Sequence, residues 1–254
     1  MRELQLPEVG ARIRWIDIAG DGPARVFVHG LGCTGGSDFA HIAAHPLLAG
    51  RRSILVDLLG HGLSDRPGKF DYGLESQARC VAAVLDHLGL DGVELVGHSM
   101  GGAIAILLAA ERPDLVARLV VAEPNVLPGG GPGSRSIAAM DEKTFVSNGF
   151  RRMAMLIDRP DFVARFRLAD PVALHRSAVA LIELTTPTTG ELLAGLDIPR
   201  AFLVGALSRD DEDDAERIAT DAGIPVHVIA DAGHNLMIDN PDGFAEALAA
   251  ALRD

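Results

Sequence analysis

The sequence predicts an α/β protein built on a parallel sheet, and three observations predict it. Short apolar runs at residues 25–28, 53–56, 93–96, 119–122, 201–204 and 225–229 alternate with stretches of helical period. Residues 93–110, VELVGHSMGGAIAILLAA, pass from a buried-strand pattern to a run of helix-forming Ala and Leu through one tight turn. The 254 residues are 48% apolar, which is ordinary for one α/β domain with a sizeable core. Strands and helices that alternate in this way form a parallel sheet joined by right-handed crossovers.

Taken in order, residues 11–18 (ARIRWIDI) alternate apolar and polar, as a half-exposed strand does. A Gly20-Asp21-Gly22-Pro23 turn leads into the strand at 25–28, which ends in His29-Gly30-Leu31-Gly32. A helix capped by Ser37 is expected next. The strand at 53–56 runs into DLLGHGLSDRP at 57–67. Between 74 and 88, Ala78, Val81, Ala82 and Leu85 recur with helical period. After the strand at 119–122, residues 123–133 (EPNVLPGGGPG) read as a linker, and 134–196 show helical patterning without a strand. The expectation is a core of residues 1–124 and 197–254 with an inserted helical cap at 125–196. The sheet resumes at 201–204. An acidic stretch from Asp210 leads into a helix, and Asp231-Ala232-Gly233-His234 follows the last strand. Residues 241–252 close as an amphipathic helix.

Composition narrows the function classes. A net charge of −12 with no basic block argues against nucleic acid or an anionic membrane surface as partner. The two cysteines, Cys33 and Cys80, form neither a disulfide framework nor a metal-ligand spacing, so a reducing, cytoplasmic setting is expected. Residues 1–4 open no apolar signal segment, and no apolar run is long enough to cross a bilayer.

The chemistry is carried by Gly97-His98-Ser99-Met100-Gly101. A strand that reverses sharply into a helix strains its middle residue, and side chains two positions either side would meet neighbouring backbone. Glycine removes those collisions and leaves Ser99 projecting over the helix N-terminus. A Gly-rich chain also produces Gly-x-Ser-x-Gly by chance, and the strand–turn–helix context favours a nucleophile. A serine hydroxyl needs a base to take its proton. Of nine histidines, His234 stands in a Gly-rich turn after the last strand, at the same sheet edge as Ser99. His98 reads as packing, and His29 and His61 as holding loop shape. Backbone N–H groups of Met100 and Leu31 are the candidate oxyanion donors, because they are rigid and need no rotamer to aim them.

Together His29-Gly30-Leu31-Gly32, the 57–67 loop, Gly97 to Gly102 (GHSMGG) and Ala232-Gly233-His234 resemble the α/β-hydrolase superfamily, in that family's order. The resemblance implies an eight-stranded, mostly parallel sheet flanked by helices, a small cap, a Ser–acid–His triad and no cofactor. It also implies that the 57–67 loop shapes the pocket edge without supplying catalytic groups. The family usually places its acid after the strand at 201–204, as Gly-x-x-Asp, but here Gly205-Ala206-Leu207 is followed by Ser208. Asp210 or Asp211 would serve if the loop is longer. Members resembling the haloalkane dehalogenases carry a Glu one strand earlier, where this chain has Glu123. Glu123 is favoured, since a carboxylate at a buried strand end needs a partner and His234 would provide one. Asp210 lies in a tract that reads as a solvated helix N-terminus.

Haloalkane dehalogenases and soluble epoxide hydrolases use Asp at the elbow, so Ser99 turns the expectation to acyl transfer. The leading reading is a serine hydrolase acting on a small, apolar carboxylic ester, lactone or related acyl substrate. A carbon–carbon bond hydrolase or lyase on the same triad, and a slow-turnover ligand receptor, are the alternatives. Met153, Met155, Leu156, Phe162 and Phe166 fit an apolar pocket or, for most of them, cap–core packing. The sequence carries no signal for oligomeric state.

Overall fold

The structure, a computed structural model, describes residues 1–209 and 214–253. Its sheet contains β1 (Arg2–Leu6), β2 (Ala11–Ile18), β3 (Asp21–Val28), β4 (Arg51–Asp57), β5 (Val93–His98), β6 (Val116–Ala122), β7 (Arg200–Gly205) and β8 (Val226–Ile229). The strand order is β1-β2-β4-β3-β5-β6-β7-β8. β2 pairs antiparallel with β1 and β4, and every pairing from β4 through β3 to β8 is parallel. The α/β expectation holds. β1 was not anticipated: its RELQL buries only Leu6, so an exposed edge strand leaves no apolar run to read.

The central strands look continuously apolar because both faces are covered. Val26, Val28, Leu95, Leu119, Val121, Phe202 and Val204 face one cluster, under α2 (Leu74–Leu88) and α3 (Met100–Glu111). Phe27, Leu55, Val96, Val120, Leu203 and Ile229 alternate with them and face α1 (Gly35–Ala43) and the C-terminal helix. α3 is buried at every position from Met100 to Ala109, which is why its sequence has no polar stripe. The cap of α1 is Thr34, not Ser37. The helix starts three residues earlier than expected, and the Thr34 hydroxyl accepts the Ser37 N–H at 3.2 Å.

Between β6 and β7 lie α4 (Pro132–Ala138), α5 (Glu142–Thr144), a π-helical turn at Phe145–Gly149, α6 (Phe150–Leu156), α7 (Pro160–Phe166), α8 (Pro171–Glu183) and α9 (Thr189–Gly195). They build a separate apolar cluster around Phe145, Phe166 and Leu174. This segment rests on loops at the carboxyl end of the sheet. The Asp170 N–H donates to the Gly60 carbonyl at 2.8 Å, and Arg66 donates to the Leu168 carbonyl at 2.8 Å. α9 instead packs Leu193 into the core beside α3. α10 (Asp214–Asp221), α11 (Leu236–Asp239) and α12 (Pro241–Ala251) complete the chain. Among the described residues, no helix is long and apolar enough to cross a membrane.

Candidate active site

β5 turns into α3 at Ser99, whose backbone sits at φ 53°, ψ −120°. A Cβ at Gly97 would press on the Gly101 carbonyl oxygen, and one at Gly101 on the Val28 and His29 carbonyls. The turn closes tightly enough that only glycine fits on either side. Ser99 N–H donates to the Ala122 carbonyl at 2.9 Å, tying the turn to the end of β6. Ser99 itself is buried, only 9% exposed.

The Ser99 Oγ lies 3.0 Å from His234 Nε2, and His234 Nδ1 lies 2.6 Å from Glu123 Oε2. Three residues far apart in the chain thus form one relay. Glu123 follows β6 with φ 43°, so the first and last members of the relay both hold a left-handed backbone. Backbone strain of this kind persists where the surroundings over-determine it, and it gathers at functional sites. The second Glu123 oxygen accepts the Gly205 N–H at 2.9 Å. Burial pushes the Glu123 carboxyl up. Hydrogen bonds from His234, the Gly205 N–H and the Ser208 hydroxyl outweigh it and hold the group below its usual value. Ser208, the residue where the family's Asp was expected, therefore supports Glu123. Asp210 and Asp211 lie outside the described residues.

Leu31 follows β3 in a loop packed directly on the turn: a Cβ at Gly30 would sit 3.1 Å from His98 Nδ1 and 3.3 Å from Ser99 Cβ. His29 fixes that loop. Its Nδ1–H donates to the Gly30 carbonyl at 2.8 Å and its Nε2 accepts the Leu58 N–H at 3.1 Å. Met100 opens α3, so its N–H has no acceptor within the helix and lies at the positive end of the helix dipole. His61 likewise bonds its own loop, at the Leu59 carbonyl, 3.3 Å. Asp57 accepts the N–H groups of Gly35 and Leu63, both at 2.9 Å. The 57–67 loop is thus built as a scaffold.

Two supports escaped the sequence. His98 Nε2–H donates to the His234 carbonyl at 2.7 Å, and the rings are 4.9 Å apart. His98 packs, as expected, and in doing so pins the backbone of the relay histidine. Burial first, and the neighbouring His234 second, push its imidazole down to about 4. Asp239 accepts the Gly233 N–H at 3.1 Å and pairs at 2.8 Å with Arg159, the residue that precedes α7. No spacing rule joins these residues; only the return of the chain does. Of the apolar side chains in 150–166, Phe166 is buried against Gly32, and Met153 and Phe162 pack on the same cluster. Met155 and Leu156 are 76% and 81% exposed and lie outside that packing. Among the described residues, no three His, Cys, Asp or Glu side chains are grouped to hold a metal ion.

This fold, with a serine on a strained strand-to-helix turn beside a histidine and a carboxylate, defines a hydrolase-type architecture. The chain belongs to the alpha/beta hydrolase fold family, whose model matches residues 23–172. The sn-1-specific diacylglycerol lipase of Mus musculus is 31% identical over 261 residues, 91% of this chain and 81% of that protein. Uncharacterised proteins of Mycobacterium tuberculosis and Mycobacterium bovis are 38% identical over 119 residues, 46% of this chain. That match spans about a third of their own length, 34%. A 2-hydroxy-6-oxo-2,4-heptadienoate hydrolase of Pseudomonas putida is 36% identical over 119 residues, 47% of this chain and 40% of that one. Among solved structures, an esterase from Exiguobacterium antarcticum superposes with a TM-score of 0.81 at 24% identity, covering 99% of both chains.

Proposed function

We propose that the chain is a serine hydrolase that cleaves a carboxylic ester, lactone or related acyl bond, with residues 125–196 forming a cap over the site. The observation that carries this reading is the continuous relay Ser99–His234–Glu123, at 3.0 and 2.6 Å. His234 Nε2 accepts the Ser99 proton as Oγ attacks the acyl carbon. Glu123 on Nδ1 holds the tautomer that leaves Nε2 free, and stabilises the imidazolium once formed. The N–H groups of Leu31 and Met100 receive the developing oxyanion. His234 then protonates the leaving oxygen, and water attacks the acyl-enzyme by the same route in reverse.

The ester and lipase names among the similar proteins support acyl-bond cleavage. The Pseudomonas putida relative keeps a second reading open, carbon–carbon bond hydrolysis by the same three residues. A panel of p-nitrophenyl esters set against a vinylogous β-diketone separates them. Turnover of the diketone alone would overturn the ester reading. The nucleophile has its own test: a fluorophosphonate should add once to the wild-type protein by intact mass, and not to Ser99→Ala. Equal labelling of both would remove Ser99 from its assigned role.

A further inference from the structure

The amino ends of β6, β7 and β8 lie at the sheet edge opposite Ser99, and a cavity of about 240 Å³ opens there. Arg118 of β6, Arg200 of β7 and His227 of β8 line it. Arg118 Nη1 donates to the Ala251 carbonyl at the end of α12, 3.2 Å away. Arg200 donates from Nη1 to the Ile198 carbonyl at 3.2 Å and from Nη2 to the Ala194 carbonyl at 2.8 Å. Cations suit helix C-termini, so these bonds account for part of each guanidinium. They do not account for the rest. Among the described residues neither arginine has a carboxylate partner, in a chain whose net charge is −12.

Two further atoms point the same way. Arg200 Nε and His227 Nε2 are buried and, among the described residues, have no hydrogen-bond partner. A buried polar atom without a partner carries its full desolvation cost, and native proteins leave few of them. Both belong to residues of this one cavity. The remaining wall is apolar, with Ile198, Ile224 and Pro225 facing the space.

We propose that this cavity is a binding site for a small organic carboxylate with an apolar body. The carboxylate would accept from the guanidinium N–H groups of Arg118 and Arg200 that those bonds leave over, and from His227 in the tautomer that carries its proton on Nε2, and its hydrocarbon part would cover the isoleucines and Pro225. Charge-assisted hydrogen bonds to a carboxylate are the strong kind, and a guanidinium can offer two at once. The apolar wall disfavours a fully hydrated anion such as phosphate. The site shares no residue with the Ser99 relay and does not rest on the proposed reaction.

The test is calorimetric titration of the full chain at low ionic strength with sodium hexanoate, and in parallel with inorganic phosphate. Hexanoate should saturate one site per chain. Arg118→Gln and His227→Leu should each weaken it at least tenfold while leaving p-nitrophenyl acetate turnover and melting temperature unchanged. Arg200 is left intact because its Nη groups hold the chain before β7. If Arg118→Gln melts early, His227→Leu alone decides. Absence of saturable binding, tighter binding of phosphate than hexanoate, wild-type affinity in the folded variants, or loss of binding on labelling Ser99 would each overturn the site.

Discussion

Glu123 is the residue on which the proposed chemistry depends most sharply. Its carboxylate is 11% exposed, faces His234 Nδ1 at 2.6 Å, and is fixed from behind by Gly205 N–H. Glu123→Gln keeps the shape and can place its N–H₂ on Nδ1, which favours the wrong tautomer. It should lower kcat by about 10²–10⁴-fold. Asp210→Asn should leave steady-state rates nearly intact, and the reverse pattern would move the acid to the later loop. Because its hydrogen bonds hold Glu123 below the usual carboxylate range, it stays ionised through mild acid. The carboxylate should therefore add nothing to the acid limb of kcat/KM, which should fall with unit slope. A slope of two would show the carboxylate titrating as well. His98 acts one step removed, through the His234 carbonyl. His98→Ala should lower kcat and slow fluorophosphonate labelling by about tenfold with KM unchanged, since loose geometry at the reacting atoms weakens orientation rather than binding.

At the scale of elements, α7 is fastened at both ends. Arg165 reaches Asp38 of α1 at 2.7 Å, with the two side chains 5% and 0% exposed, and α1 begins just after the Leu31 loop. Arg159 meets Asp239 at 2.8 Å with 44% and 21% exposure. These pairs differ in kind. Removing one partner of a buried pair leaves an uncompensated charge, so Asp38→Asn or Arg165→Met should cost about 3–5 kcal/mol by urea denaturation. The double replacement by apolar residues of similar volume should recover most of that loss. Arg159→Ala should change stability by less than about 1 kcal/mol, and by less still at high salt. Equal costs for the two pairs would contradict their difference in burial.

For the whole molecule, acid stability follows from buried neutral histidines. Burial, with His29 beside it, pushes His61 down to about 3, and His98 lies at about 4. Both are depressed below the unfolded value of about 6.5, so the unfolded chain takes up protons first as pH falls. Stability is complete above about pH 6.5 and is lost progressively below it. Each histidine contributes a loss on the order of 3 kcal/mol by pH 4. Urea midpoints measured from pH 7 to 4 should fall steeply, and a His61 variant that folds with an uncharged side chain should flatten the curve. A flat wild-type profile would mean that the two histidines titrate freely.

The sequence by itself determined the layered class, the turn at Ser99, the histidine turn at 231–234 and the glycine-flanked loop at Leu31. All of these are local patterns: a period of two or 3.6, or a backbone conformation that only glycine permits. It also narrowed the acid to Glu123 or the 210–211 loop. Tertiary structure decided what local pattern cannot encode. β1 became a strand because β2 was there to pair with it. Thr34, not Ser37, took the cap because α1 starts where the packing under β4 requires. Ser208 became a support for Glu123, His98 a pin for His234, and Arg165 a bridge to Asp38 only when elements about 80 to 140 residues apart met across the sheet edge. Such contacts join side chains with no fixed spacing, so the folded chain alone states them.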